Sequence, residues 1–201
     1  MPEPAYWDRQ AATWDRSTAF VERRLLAPAR RWVTARAAGR TLEVAVGTGA
    51  NLPYYDARVS DLTITDLSPV MLEAAVARAR TLGREVHSLI ADGAHLGLPD
   101  DAYDTVVCTF AMCCVPDEVV VMRELARVLR PGGTLLLADH VESSARLGRG
   151  VQRVLDAFSS AESGEHHRRR PLLRAGETGL RVVEHDASRW RLVEQLAARA
   201  A

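Results

Sequence analysis

The hydrophobic positions change period along the chain. Over residues 1–38 they follow the 3.6-residue period of an amphipathic helix, with Leu25, Leu26, Ala29, Trp32 and Val33 on one face. Gly39 marks the end of that stretch. From there, short β-rich runs alternate with helical ones. Residues 41–46 read as a strand, followed by a glycine turn, Gly47-Thr48-Gly49. Residues 62–66 form a second strand. Ser68 then caps a helix that has Pro69 in its first position, with Leu72, Ala75, Val76 and Ala79 on its inner face and Gly83 at its end. Residues 86–90 are a third strand. Residues 104–110 are a fourth, whose nearly unbroken apolar run implies burial on both faces. Residues 117–129 make a helix turned inward at Val121, Met122, Leu125, Val128 and Leu129, stopped by Arg130-Pro131-Gly132-Gly133. Residues 134–139 are a fifth strand.

Strands separated by helices imply a parallel sheet with right-handed crossovers. The tail adds a helical pattern at 150–160, a polar, basic stretch at 166–170, and two runs, Leu180–Ala187 and 190–196, that read as an antiparallel edge. The predicted fold is α/β: a single Rossmann-like doubly wound sheet, mostly parallel, with an antiparallel edge strand and helices on both faces. Residues 1–38 are expected to form a helical cap over a ligand site. Residues 39–201 form the main domain, in one globular unit with the cap.

Composition narrows the function. The chain has 201 residues, about one domain. Its 26 basic and 26 acidic residues give a formal net charge of zero, which argues against a nucleic-acid binder. Every basic residue is arginine, so no lysine Schiff-base chemistry is open to it. Cys108, Cys113 and Cys114 are few and lack paired spacing, which predicts a reducing, cytoplasmic setting. The polar, aromatic N-terminus does not read as a signal peptide, and no apolar run approaches the roughly 18 residues of a membrane helix. His87, His95 and His185 have no ligand spacing, so no metal site is predicted.

The chemistry gathers at the glycine turn. Gly47 and Gly49 permit a tight bend and close approach to a ligand, and free N–H groups there suit a carboxylate or phosphate. A dinucleotide site would continue G-x-G-x-x-G, but the last position is Leu52, which disfavours a nicotinamide enzyme. S-adenosylmethionine instead needs groups for its carboxylate, ribose and adenine. Acids stand at three successive strand units: Glu43 under the glycine turn, Asp66 placed to accept both ribose hydroxyls, and Asp92 placed to accept the adenine amino group. Glu43 has a second reading, as an acceptor for loop N–H groups that never touches the ligand.

These residues resemble the class I S-adenosylmethionine-dependent methyltransferases. Glu43-Val44-Ala45-Val46-Gly47-Thr48-Gly49 is similar to the family's E/D-x-G-x-G-x-G, with Ala45 in place of the first glycine. Asp66-Leu67-Ser68-Pro69-Val70-Met71-Leu72 is similar to its D-x-S-x-x-M-L. Ala91-Asp92-Gly93-Ala94 with Leu98-Pro99-Asp100-Asp101-Ala102-Tyr103-Asp104, and the turn Leu129-Arg130-Pro131-Gly132-Gly133, complete a match over about residues 40–140. The subgroup it most resembles holds ubiquinone/menaquinone-type and small lipid or thiol methyltransferases. The resemblance implies cofactor contacts from Tyr6, Trp14, Glu43, Gly47, Thr48, Gly49, Asn51, Asp66, Leu67, Asp92, Gly93, Ala94 and Phe110. Tyr6, Trp7 and Trp14 look like an aromatic lid, or else like the packing of a surface helix.

It further implies a small-molecule methyl acceptor (a quinol, phenol, lipid, thiol or specialised metabolite), in a monomer or homodimer without nucleic acid. Substrates of such sheets sit beyond the carboxyl ends of the strands. His140 is there, as a base toward the acceptor or as a hydrogen-bonded strand end. Asp139 beside it is expected to point the other way. Cys113 and Cys114 suit a soft acceptor or serve as small apolar residues. His166, His167 and Arg168 to Arg170 suit an anionic substrate or a solvated loop. Two alternatives remain: a rearrangement on the same fold without methyl transfer, and a non-catalytic binding subunit, which Ala45 alone would support.

Overall fold

The computed structural model describes residues 4–140, 175–187 and 193–201. The N-terminal helical stretch is α1 (Pro4–Val21), a π-turn (Glu22–Leu26) and α2 (Ala27–Thr34) in direct succession. Pro28 explains the π-turn. Proline has no N–H to give, and its ring crowds the carbonyl four residues back. The chain relieves that by widening one turn, so that the Ala27 N–H reaches Glu22 O, five residues back.

Seven strands follow: β1 (Gly39–Val44), β2 (Val59–Asp66), β3 (His87–Ile90), β4 (Tyr103–Thr109), β5 (Leu129–His140), β6 (Leu180–Ala187) and β7 (Val193–Ala200). Between them lie α3 (Pro69–Thr81) and α4 (Glu118–Arg127). The sheet order is β3-β2-β1-β4-β5-β7-β6, with β1 to β5 all parallel. β7 runs antiparallel to both β5 and β6. The antiparallel strand is therefore the last in sequence, inserted one place in from the edge. Its described part is Val193–Ala200, which runs past the expected end at 196. The expected helix at 150–160 and basic stretch at 166–170 lie outside the described residues, as do 190–192.

Each face of the sheet has its own core. Val107, Leu136 and Ala138 join α2 and α3 on one side, through Ala29, Val33, Leu72 and Ala75. Val106, Cys108, Leu135 and Leu137 join α4 on the other, through Val121, Met122 and Leu125. The alternation along β4 and β5 is that of strands buried on both faces. Caps follow the sequence: Ser68 Oγ accepts the Met71 N–H at 3.1 Å, and the Asp117 side chain accepts from Val119 and Val120. The helix expected over 117–129 stops at Arg127, and Arg130 to Gly133 lie within β5, where its register with β4 shifts. The strand order reverses between β1 and β4. A crevice opens there beyond the carboxyl ends of the strands.

Candidate active site

A cavity of about 330 Å³ fills that crevice. Its floor is the end of β1 and the glycine turn: Val44, Ala45, Val46, Gly47 and Thr48. One wall is Asp66, Leu67 and Met71, from the end of β2 and the start of α3. The other is Thr109, Phe110, Ala111, Cys113 and Cys114 after β4, with His140 at the end of β5. Trp7, Trp14, Ser17, Thr18, Val21 and Glu22 of α1 and the π-turn roof it. Trp7 and Trp14 meet edge-on with centroids 5.7 Å apart, two turns apart on one helix face.

Two residues around the crevice hold left-handed backbone without being glycine. Ala45 has φ 56° and Phe110 φ 56°. They follow the ends of β1 and β4, the strands between which the order reverses. For an L-residue this conformation costs about 1–2 kcal/mol. Hydrogen bonds on both sides hold it: Val46 N–H to Thr65 O at 2.9 Å and Phe110 N–H to Ala138 O at 2.7 Å. Ala45 stands where the family motif has its first glycine, and its burden lies in this backbone angle.

The Asp66 carboxylate stands at the cavity wall, 9% exposed. One oxygen accepts the Gly47 N–H at 2.8 Å and the other the Ser68 N–H at 2.9 Å. Burial raises its pKa, and those N–H groups pull it back. Gly47 has φ 57°, and a Cβ there would meet nothing within 4 Å, so its face toward the cavity is open. Thr48 Oγ1 donates to Asp15 at 2.6 Å, tying the turn to the lid.

Of the residues singled out from sequence, Trp14, Gly47, Thr48, Asp66, Leu67, Gly93, Phe110 and His140 come together on the cavity. Tyr6 stands outside it, edge-on to Trp7 at 5.1 Å. Gly49 turns away toward α3, where a Cβ would meet Leu52 Cδ1 at 2.6 Å and the Ala75 Cα at 3.2 Å. Asp92 closes its own turn, accepting the Ala94 N–H at 2.9 Å. Glu43 and Asn51 lie behind the floor. There the Asn51 amide and the Tyr55 hydroxyl each donate to the Glu43 carboxylate at 2.9 Å.

That buried network runs back into the cavity through Arg30, which the sequence reading missed. Its guanidinium donates to Glu22 at 2.9 Å, Asn51 Oδ1 at 3.2 Å and Thr109 Oγ1 at 2.8 Å, and lies 4.7 Å from the Phe110 ring centroid. A signal existed: Arg30 sits on the stripe of Leu26, Ala29 and Val33, where an amphipathic helix buries apolar groups. Burial lifts Glu43 to about 7, against the pull of Tyr55 and Arg30.

At the other end, Asp139 and His140 are not kept apart by strand alternation. Ligand-type atoms of Cys113, Asp139 and His140 lie within 4.8 Å of one another. The Asp139 carboxylate turns along the chain, accepting the His140 N–H and, from the loop after β4, the Met112 N–H, each at 2.7 Å. Burial raises Asp139 to about 6 despite these donors. The Cys113 and Cys114 sulfurs are 3.5 Å apart, both buried and both on the cavity. The His140 ring tilts against Phe110 at 5.1 Å. His166 to Arg170 lie outside the described residues.

Comparison with known proteins places this arrangement. A methyltransferase-domain family matches residues 42–137. The methyltransferase GfsG of Streptomyces halstedii is 34% identical over 190 residues, 91% of this chain and 64% of the relative. A phosphatidylethanolamine N-methyltransferase of Cereibacter sphaeroides is 37% identical over 126 residues, 61% of each chain. The chain thus spans less than two thirds of these relatives' length. A solved S-adenosylmethionine-dependent methyltransferase of Thermotoga maritima, described as a possible histamine N-methyltransferase, superposes with TM-score 0.74 over 98% of this chain and 99% of its own, at 17% identity. No helix among the described residues is long and apolar enough to cross a membrane.

Two outcomes follow from this geometry. Ala45→Gly removes the left-handed strain and raises stability by about 1 kcal/mol after glycine's added chain entropy, a rise of about 2–4 °C in thermal midpoint. An unchanged or lower midpoint would show that the Ala45 methyl contributes more by packing than its backbone costs. Glu43, raised from 4.5 to about 7, stays protonated in the fold where the unfolded chain ionises. Its contribution is full below about pH 4.5 and is lost as pH climbs to about 7. Urea titrations should therefore show Glu43→Gln gaining on the native chain by up to about 3 kcal/mol across that window. A constant difference would place the Glu43 pKa at its ordinary value.

Proposed function

We propose that this chain, a member of the class I S-adenosylmethionine-dependent methyltransferases, transfers a methyl group to a small, largely apolar acceptor. One observation carries the reading. A single cavity runs from the Asp66 and Gly47 end to the Phe110, Cys113 and His140 end, under one aromatic roof. A donor and an acceptor can meet there with water kept out.

The residues present fit the family's cofactor. The Asp66 carboxylate accepts the Gly47, Ser68 and Leu67 N–H groups and, with about four lone-pair sites, keeps capacity for a further donor such as a ribose hydroxyl. The open face of Gly47 leaves room for a ligand against the backbone. When bound, S-adenosylmethionine supplies a methyl group already activated by its positive sulfur.

The chain's own part is to position, to shield and to handle a proton. Asp66 and the Gly47 turn hold the donor end. Val44, Met71, Gly93 and Val121 close the sides with apolar surface. Phe110, with Arg30 stacked behind it, and the Cys113–Cys114 pair shape the acceptor end. His140 faces that end and is the residue proposed to take a proton from a hydroxyl or carbon acid; a thiol needs less help. Alignment alone contributes about 7–11 kcal/mol to such a transfer. Among acceptors, lipids and thiols suit this lining best, since it offers apolar and sulfur-bearing side chains rather than a spread of charges.

An acceptor screen with labelled S-adenosylmethionine over quinols, phenols, thiols and amino lipids tests the proposal, with S-adenosylhomocysteine as the second readout. Acceptor conversion without S-adenosylhomocysteine would point to the rearrangement reading, and cofactor binding without turnover on any acceptor to the binding-subunit reading. Asp66→Asn should raise the cofactor dissociation constant about 10–100-fold in calorimetry, the loss of one charge-assisted hydrogen bond of about 1.5–3 kcal/mol. A change below about threefold removes Asp66 from the ribose site. His140→Ala should lower turnover about 10²–10⁴-fold while cofactor affinity holds within a few-fold. If affinity collapses instead, His140 shapes the pocket and is no base.

A further inference from the structure

The lid helix sorts its charges by face. Its acids bond across to the body of the protein. Asp8 accepts from the Ser68 hydroxyl, Asp15 accepts from Thr48 and pairs with Arg78, and Glu22 of the π-turn pairs with Arg30. Its arginines look outward. Arg9, Arg16 and Arg23 recur every seven residues, two helical turns, so they fall on one stripe. Phe20, four residues beyond Arg16, shares that stripe, opposite Trp7 and Trp14. Arg9, Arg16, Arg23 and Arg24 are exposed, and none makes an ion pair among the described residues.

Phe20 stands among these charges, 68% exposed, with the Arg24 guanidinium 5.9 Å from its ring centroid. Val21, seven residues beyond Trp14, continues the opposite stripe and lines the cavity. A face that combines uncompensated arginines with a protruding phenylalanine complements a surface that is anionic outside and apolar beneath. A nucleic acid offers phosphates but no apolar depth for Phe20. A second copy across a two-fold axis would set these arginines against themselves.

We propose that the outer face of α1 docks on an anionic lipid bilayer, with the arginines on the headgroups and Phe20 in the acyl boundary. The docking itself needs neither cofactor nor turnover, so it stands or falls apart from methyl transfer.

Sedimentation of the full chain with vesicles tests it. The chain should pellet with phosphatidylglycerol–phosphatidylcholine vesicles and not with phosphatidylcholine alone, less so as salt rises. Arg16→Gln with Arg23→Gln should lower the partition coefficient about twenty-five-fold, at about 1 kcal/mol per arginine near such a surface. Phe20→Ser should lower it about tenfold and keep the salt dependence. Circular dichroism and calorimetric cofactor binding keep these variants interpretable. The proposal is overturned if the native chain stays in solution with anionic vesicles, if it pellets equally with neutral ones, or if the double variant pellets undiminished. It is also overturned if Phe20→Ser abolishes a dimer of the native chain without changing vesicle binding, which would assign the face to a second copy.

Discussion

The buried guanidinium of Arg30 ties the lid to the sheet. Arginine cannot shed its charge, and an unpaired buried ion costs several kcal/mol. α2 nonetheless carries it inward, so its surroundings must supply partners. They come from three parts of the chain: Glu22 in the π-turn, Asn51 after the glycine turn, and Thr109 with the Phe110 ring at the end of β4. Asn51 passes the connection on to Glu43 of β1, and Tyr55 closes it from beyond. Moving any of these elements leaves a buried polar group unsatisfied, so their positions are coupled. The π-turn belongs to this coupling: it is the widening forced by Pro28 that begins at Glu22, the residue that meets Arg30.

Around this network the crevice is held open by backbone strain. Ala45 and Phe110 bend out of β1 and β4 in the left-handed region, one on each side of the point where the strand order reverses. Strain of this kind persists where neighbouring hydrogen bonds over-determine the conformation, and it gathers at functional sites. The bend at Ala45 carries the chain into the Gly47 turn, whose N–H then meets Asp66. The bend at Phe110 lays its ring between Arg30 and His140. The two ends of the cavity are thus set by two strained residues rather than by the glycines alone.

What the sequence made legible is what local rules govern. The period-2 and period-3.6 runs located β1 to β5 and α3, and Ser68-Pro69 named a cap that is present atom for atom. Asp66 and Gly47 were readable because a strand-end turn that closes through a carboxylate and a left-handed glycine restricts those positions to few residue types. Arg30 was harder: its partner Thr109 is 79 residues away, and only a charge on an apolar stripe hints at it. The meeting of Cys113 with Asp139 and His140 joins a loop after β4 to the end of β5, and no spacing along the chain announces it. The place of β7 between β5 and β6 was likewise not readable, since edge order follows from which surfaces cover one another and not from pattern.

The same distinction separates the two halves of the site. At the end proposed for the donor the backbone itself lines the cavity, so conformation dictates residue type and the type betrays the turn. At the acceptor end the lining is Cys113, Cys114, Val115 and Val121, small apolar groups that many chains place in many cores. Their message lies in shape and exclusion of water, which a one-dimensional pattern does not carry. The lid is held by polar bonds at its inner face, Asp8 to Ser68 and Asp15 to Thr48, rather than by a large apolar seam. Such bonds exchange with water at little net cost, about 0.5–1.5 kcal/mol each. The outer part of the roof is thus held less firmly than its Glu22 end, which Arg30 fixes to the floor.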